Sequence, residues 1–242
     1  MPTERRVAGS LPVRERTAHA RIRRRALRAR NGLGYDPVYV PPHFEIADRA
    51  QALEIIASNP FGLLITCEEG VPYVSHLPLI ARMQEDRLSV VGHVARENPQ
   101  ARAISARLPA TAVFSGPHAY VSASWYERPY ETVPTWNYAA VHVRGRLSGM
   151  DAWEAVRALT AITEGSKPGA WDPERLDPRY RAGQLRGIVA FRLDADSIYA
   201  KAKLSQNRSR ADRLRVVRQL LASDDRSARE CGELMRRSDE SV

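Results

Sequence analysis

The chain has 242 residues, of which 43% are hydrophobic, with 16 prolines, 14 glycines and two cysteines. This composition suits a globular protein with its own core, and no window approaches the roughly 18 consecutive apolar residues of a membrane helix. The net charge of +9 is unevenly held: residues 1–37 carry ten Arg, no Lys and three acids, whereas residues 38–242 carry 27 basic and 25 acidic residues. The body is therefore nearly neutral, which argues against a broad nucleic-acid-coating face, and the basicity belongs to an N-terminal extension.

That extension contains "HARIRRRALRAR" (His19 to Arg30), a run able to meet phosphates or an anionic surface. Val38 opens "VYVPPHF", and a valine codon of the GTG type can serve as a bacterial start. Residues 1–37 thus read as a disordered basic tail, a DNA-binding arm or translated upstream sequence, and residues 38–242 as the folded domain. The extension lacks the apolar stretch of a secretory signal. Cys67 and Cys231 belong to no Cys-x-x-Cys pair. Both read as reduced thiols of a cytoplasmic protein.

In chain order, Asp48 followed by Gln51 predicts a capped helix ending at Asn59-Pro60. "FGLLITC" (Phe61 to Cys67), the turn "EEG" and "VPYVSHLPLI" (Val71 to Ile80) predict a hairpin whose prolines keep its second strand at an edge. "RLSVVGH" (Arg87 to His93) predicts a third strand, and Asn98-Pro99 a short capped helix. "ATAVFSG" (Ala110 to Gly116) and "AYVSASW" (Ala119 to Trp125) predict a second hairpin-like pair. In "VPTWNYAAVHVRGRL", Ala139, Val141, Val143, Gly145 and Leu147 alternate with Ala140, His142, Arg144 and Arg146, the period of a half-buried strand. Asp151 with Glu154 caps a helix to about Glu164, and "GSKPGAWDP" is loop. "GIVAFRLDA" (Gly187 to Ala195) is a last strand, and Ser209 with Asp212 caps a C-terminal helix that one more can follow. Strands grouped in the middle with helices at the ends predict a mainly β, α+β domain, an antiparallel barrel with peripheral helices.

Few residues declare a chemistry. His76, His93, His118 and His142 fall within one stretch, but no His-x-His or His-Glu-x-x-His spacing occurs, so no metal site is predicted. There is no Gly-x-Ser-x-Gly elbow and no Gly-rich phosphate loop. In "GHVAREN" (Gly92 to Asn98) a strand ends beside Arg96 and Asn98 where a helix begins. This arrangement either holds a phosphate or merely caps the helix and solvates the arginine. "KLSQNR" (Lys203 to Arg208) is a donor-rich loop before the last helices. The run Thr135, Trp136, Asn137 and Tyr138 either packs with one hydrogen bond each or lines a site for something flat and polar.

Taken together, "VYVPPHF", "NPFGLLIT", "VSHLPLI", "VGHVAREN", "FSGPHAYVSASWY", "VPTWNYAAVHVRGRL" and "KLSQNR" resemble the PaiB family, FMN-binding negative transcriptional regulators of bacteria. The resemblance runs from Val38 to about Met235. It departs from the family at Val38, where Met is usual, at Ala123, where Pro is usual, and at Ala200 and Ala202, where Gly and an aromatic are usual. It implies an FMN-binding split β-barrel similar to pyridoxamine-phosphate oxidase, working as a homodimer with flavin at the subunit interface. It also implies roles for individual residues. Ser75, His76 and Leu77 would lie along the flavin ring, His93 would stand beside them, and Arg96 with Asn98 would take the phosphate. Trp136, Asn137, Lys203, Ser205, Gln206 and Asn207 would close the rim. His76, His118 and Tyr138 would be candidate proton donors. The implied function is negative transcriptional regulation, with DNA as an implied partner that the charge distribution supports poorly. The alternatives are an FMN-dependent oxidoreductase acting on a small molecule with NAD(P)H or oxygen, and a haem or metabolite carrier on the same barrel.

Overall fold

The computed structural model describes residues 38–165 and 168–240, so the readings of residues 1–37 lie outside the described residues. Seven strands form one antiparallel sheet: β1 (Phe61–Glu68), β2 (Val71–Pro78), β3 (Ile80–Gln84), β4 (Arg87–Ala95), β5 (Pro109–Val121), β6 (Thr135–Gly149) and β7 (Ile188–Lys203). Their order is β2-β1-β5-β6-β7-β4-β3. The sheet curls until β2 comes against β4, which makes a barrel that stays split between those two strands. Inside it Leu64, Phe114, Val141, Val143, Leu147, Phe191 and Leu193 are fully buried, a wall of alternating apolar residues from the long central strands.

Among the described residues six helices surround the sheet: α1 (Arg49–Ser58), α2 (Gln100–Ser105), α3 (Ala152–Glu164), α4 (Pro178–Arg186), α5 (Arg210–Leu221) and α6 (Arg226–Glu240). Several begin as the sequence predicts. The Asp48 carboxylate accepts from Ala50 N at 2.9 Å, Asp151 from Glu154 N at 2.8 Å, and Ser209 Oγ from Asp212 N at 3.1 Å, each satisfying an orphan helix donor. A second core joins α5 and α6 to the far end of the sheet, where Val216, Val217, Leu220, Cys231 and Met235 bury Ala119, Val121, Tyr126, Ala202 and Leu204. Ala200 and Ala202 are themselves buried.

Three predicted elements differ, and one helix has no predicted counterpart. The expected hairpin over 110–125 is one continuous β5, because the 15-residue β6 pairs with both halves and a register shift between Ser115 and His118 absorbs Gly116-Pro117. The expected strand 71–80 breaks at Leu79, which is buried with its amide donating to Pro60 O at 2.7 Å. The last strand runs on to Lys203, since Ala200 and Ala202 alternate inward with Lys201 and Lys203. Helix α4 has no buried residue, so no apolar periodicity announced it. A bulge at Arg144/Gly145 lets β6 and β7 approach so closely that a Cβ on Gly145 would lie 1.8 Å from Asp194 O.

Candidate functional site

The twelve residues singled out by the sequence fall into two groups, with His76 apart from both. The first group lies at the split edge. Ser75 projects from β2, and Asn98 follows β4. Asn98 Nδ2 donates to Ser75 Oγ at 3.0 Å while its Oδ1 accepts from Gln100 N at 2.9 Å. Gln100 is 1% exposed and its amide nitrogen donates to Leu64 O at 3.0 Å, Thr66 Oγ1 at 3.2 Å and Tyr73 O at 3.2 Å. One buried carboxamide thus ties α2 to the β1–β2 hairpin and fixes Asn98 against Ser75. Gln100 Oε1 itself is buried with no partner, as is His93 Nδ1. Burial lowers the pKa of His93 below its usual 6.5, which keeps the imidazole neutral with an unused nitrogen.

Arg96 is pinned by its backbone neighbours. Its Nε donates to Arg186 O and its Nη2 to Ile188 O at 3.0 Å, which leaves further guanidinium hydrogens free. With Arg102 of α2 it borders an open groove of about 510 Å³ that also touches Ser105 and Val189. Leu77 packs toward the barrel core. His76, between two inward-facing neighbours, points to the opposite face of the sheet and lies 6.2 Å from the Phe61 ring. A single chain therefore does not place Ser75, His76 and Leu77 along one surface, because strand alternation separates the middle residue.

The second group sits at the far ends of β6 and β7. Here three of the expected rim residues make their hydrogen bonds within the chain. Asn137 is 0% exposed; its Nδ2 donates to Ser205 Oγ at 3.0 Å and lies 3.3 Å from Met235 Sδ. Ser205 is buried in a left-handed conformation at φ 63°. Gln206 folds back on its own turn, accepting from Leu204 N and donating to Ala202 O, each at 2.7 Å. These three lock the β7–α5 turn to β6 and α6, and within the chain they present no free edge. Asn207 is exposed. Trp136 is 54% exposed, beside Tyr120 at 6.0 Å and His118 at 6.2 Å between ring centroids. Lys203 Nζ donates to Thr135 Oγ1 and, at 2.8 Å, to Trp136 O. His118 is held by Ser227, whose hydroxyl takes its backbone N–H at 2.9 Å and donates to its carbonyl at 2.9 Å.

The two groups are far apart. Ser75 pairs with Leu64, Leu64 with Ala112 and Ala112 with Val143. Trp136 lies seven residues along β6 from that row, roughly 23 Å at the rise of a β-strand. Sequence reasoning missed Gln100 and Arg102, which only the turn of α2 brings beside Asn98 and Arg96, and it missed Lys201. Among the described residues no group of three or more His, Cys, Asp or Glu side chains is placed to hold a metal ion.

A family described as "Putative FMN-binding domain" matches residues 38–197. The chain belongs to this family. It is also 37% identical, over 82% of its length and 96% of the relative's, to the protease synthase and sporulation protein PAI 2 of Bacillus subtilis. That match bears out the PaiB resemblance. Among solved structures, the flavocytochrome Anf3 of Azotobacter vinelandii superposes with a TM-score of 0.53 at 20% identity, covering 69% of this chain and 74% of that one. A conserved hypothetical protein of Mycobacterium tuberculosis superposes with a TM-score of 0.50 at 10% identity, over 71% and 94% of the two chains. The domain is an FMN-binding split barrel of the PaiB type, and its cofactor is FMN.

Proposed function

We propose that this FMN-binding domain is a flavin-dependent oxidoreductase of the cytoplasm, working as a homodimer, with FMN held at the Ser75–Asn98 junction. The observation that carries the reading is the junction itself: Asn98 bonded to Ser75 across the split and anchored at Gln100 N, with two arginines of the same β4–α2 connection bordering one groove. A flavin ring carries both carbonyl acceptors and an imide N–H, and its phosphate is a dianion, so the donor set matches. Arg96 and Arg102 would hold the phosphate; Ser75, Asn98 and His93 would meet the ring edge. Bound FMN supplies the electron and hydride chemistry, and this chain's residues bind, orient and shield it.

The second copy covers the outer face of β1, β2 and β5. Phe61 is 67% and Val74 52% exposed there, with Leu63, Ile65 and Val113 on the same side by register. Such a contiguous apolar face is the usual mark of an interface, and twofold pairing satisfies it with itself. His76 lies on that face, so pairing would bring it beside the partner.

Negative transcriptional regulation, the role implied by the PaiB resemblance, draws little support as direct DNA reading. Five of the eight arginines of the C-terminal helices are paired with carboxylates, among them Arg213 with Asp239 at 2.9 Å, Arg226 with Glu230 at 2.7 Å and Arg236 with Glu233 at 2.9 Å. A phosphate-tracking helix keeps such charges available. Anaerobic addition of NADH or NADPH to the purified yellow protein tests the proposal: the flavin band bleaches, and air restores it. A flavin that stays oxidised with both donors, in a protein that shifts operator DNA in a salt-sensitive way, would overturn it.

A further inference from the structure

The cations of the second group have no use in the reading above. Lys201 and Lys203 project from the same face of β7, two residues apart. Lys201 Nζ lies 5.5 Å from the Tyr39 ring and 5.3 Å from the Tyr138 ring and donates to Tyr39 O at 3.2 Å. The Arg208 guanidinium stacks 4.8 Å over Tyr126, whose hydroxyl is buried without a partner. Burial, and then the charges of Lys201 and Arg208, push the Lys203 pKa below its usual 10.5. Among the described residues no salt bridge joins any of the three to a carboxylate, in contrast to Arg213, Arg226 and Arg236 of α5 and α6, although Glu45 stands opposite Lys201 in an isolated β-bridge. Like charges gathered this closely destabilise the fold that gathers them, and a bound anion removes that cost.

An aromatic platform adjoins these cations. Trp136, Tyr120 and His118 share the surface next to Lys203, and with Trp125 they wall an open cleft of about 490 Å³ floored by Leu220 and Ala228. The cleft lies on the β5 side of Trp136 and the lysines on the β7 side. Strands β5 and β7 lie about 10 Å apart with β6 between them, and Lys203 Nζ reaches Trp136 O at 2.8 Å, so a mononucleotide spans from the aromatic platform to the lysines. Aromatic faces stack bases without regard to sequence, and clustered Lys and Arg take phosphate.

We infer that this is a second ligand site, distinct from the FMN site, that binds a nucleotide with its phosphate between Lys201, Lys203 and Arg208 and its base against Trp136. The site stands whether or not FMN occupies the Ser75–Asn98 junction. In an oxidoreductase it would receive the nucleotide portion of a dinucleotide electron donor; in a regulator it would sense a free nucleotide.

The test titrates the full-length, FMN-loaded protein with 5′-AMP, following tryptophan fluorescence and heat of binding, with adenosine, inorganic phosphate and added FMN as parallel arms. Saturable AMP binding is expected, at least tenfold weaker for adenosine. Lys201→Gln/Arg208→Gln weakens it at least tenfold, and Trp136→Ala removes the fluorescence response. The double variant keeps its bound FMN, and its melting temperature does not fall, since it relieves like-charge crowding. Absent AMP binding, or AMP binding indifferent to the double variant, overturns the inference. A double variant that instead loses FMN also overturns it, by assigning these cations to the flavin phosphate. Arg96→Ala, scored for FMN content alone, reports separately on the FMN site.

Discussion

Asn137→Ala separates a structural role from a ligand-binding one. The Asn137 carboxamide and the Ser205 hydroxyl are bonded at 3.0 and 3.1 Å, with Met235 Sδ at 3.3 Å, and both polar residues are buried. Truncation leaves the Ser205 hydroxyl in a dry site, which costs about 1–3 kcal/mol. The small void left by the carboxamide adds about 1 kcal/mol. The total, about 2–4 kcal/mol, lowers the melting temperature by roughly 5–15 °C for a domain of this size. Thermal melts followed by circular dichroism measure it, alongside an FMN titration below the transition. In the double-mutant cycle with Ser205→Ala, any strain from the left-handed backbone at residue 205 appears in both arms and cancels. The remaining coupling is about 1 kcal/mol or more in favour of the pair. A variant that melts like the wild type but no longer binds FMN would refute the structural assignment and return Asn137 to the flavin rim.

Other perturbations reach different parts of the account. Gly145→Ala drives a methyl group into Asp194 O, at 1.8 Å in the unrelaxed backbone, so strands β6 and β7 must separate; expression as insoluble protein, or a loss of about 3 kcal/mol or more by urea unfolding, is expected. Val74→Lys places a charge on the exposed apolar face of β2 and should shift sedimentation from dimer to monomer, whereas the same change at exposed Ile162 should leave the dimer intact. Burial holds the pKa values of His93 and His142 below 6.5. The unfolded chain therefore takes up protons that the folded chain resists, and stability present above that value is lost as the pH falls through it. Urea melts across that range should show the slope, and His93→Gln should flatten part of it.

Much of the barrel was legible because strand alternation is a local signal. Ala139, Val141, Val143 and Leu147 face inward as their spacing says, and all are buried. The Asn98-Pro99 reading was likewise local, and the Asn98 side chain does accept from Gln100 N. What stayed hidden depended on residues distant in sequence. Nothing near Asn137 announces that Ser205 and Met235 will close over it, so a polar residue in a polar run read as a ligand contact. His76 stands apart from Ser75 and Leu77 for a simpler reason: three successive strand residues cannot share a face. Gly116-Pro117 carries a turn signature, yet pairing along the whole of β6 overrode it as a bulge. Lys201 drew no notice because a lysine between two alanines looks like solvated surface, and only β7's extension to Lys203 sets it beside Lys203 and Tyr138.

The location of the flavin is the central claim, and FMN titration of the apoprotein against its Arg96→Ala variant tests it most directly. The wild type should take up one FMN per chain, and the variant should bind at least tenfold more weakly while staying folded without cofactor, its melting temperature lowered only by the loss of two exposed hydrogen bonds, about 1–2 kcal/mol. An Arg96→Ala protein that binds FMN as tightly as the wild type would contradict the placement of the phosphate beside β4 and α2.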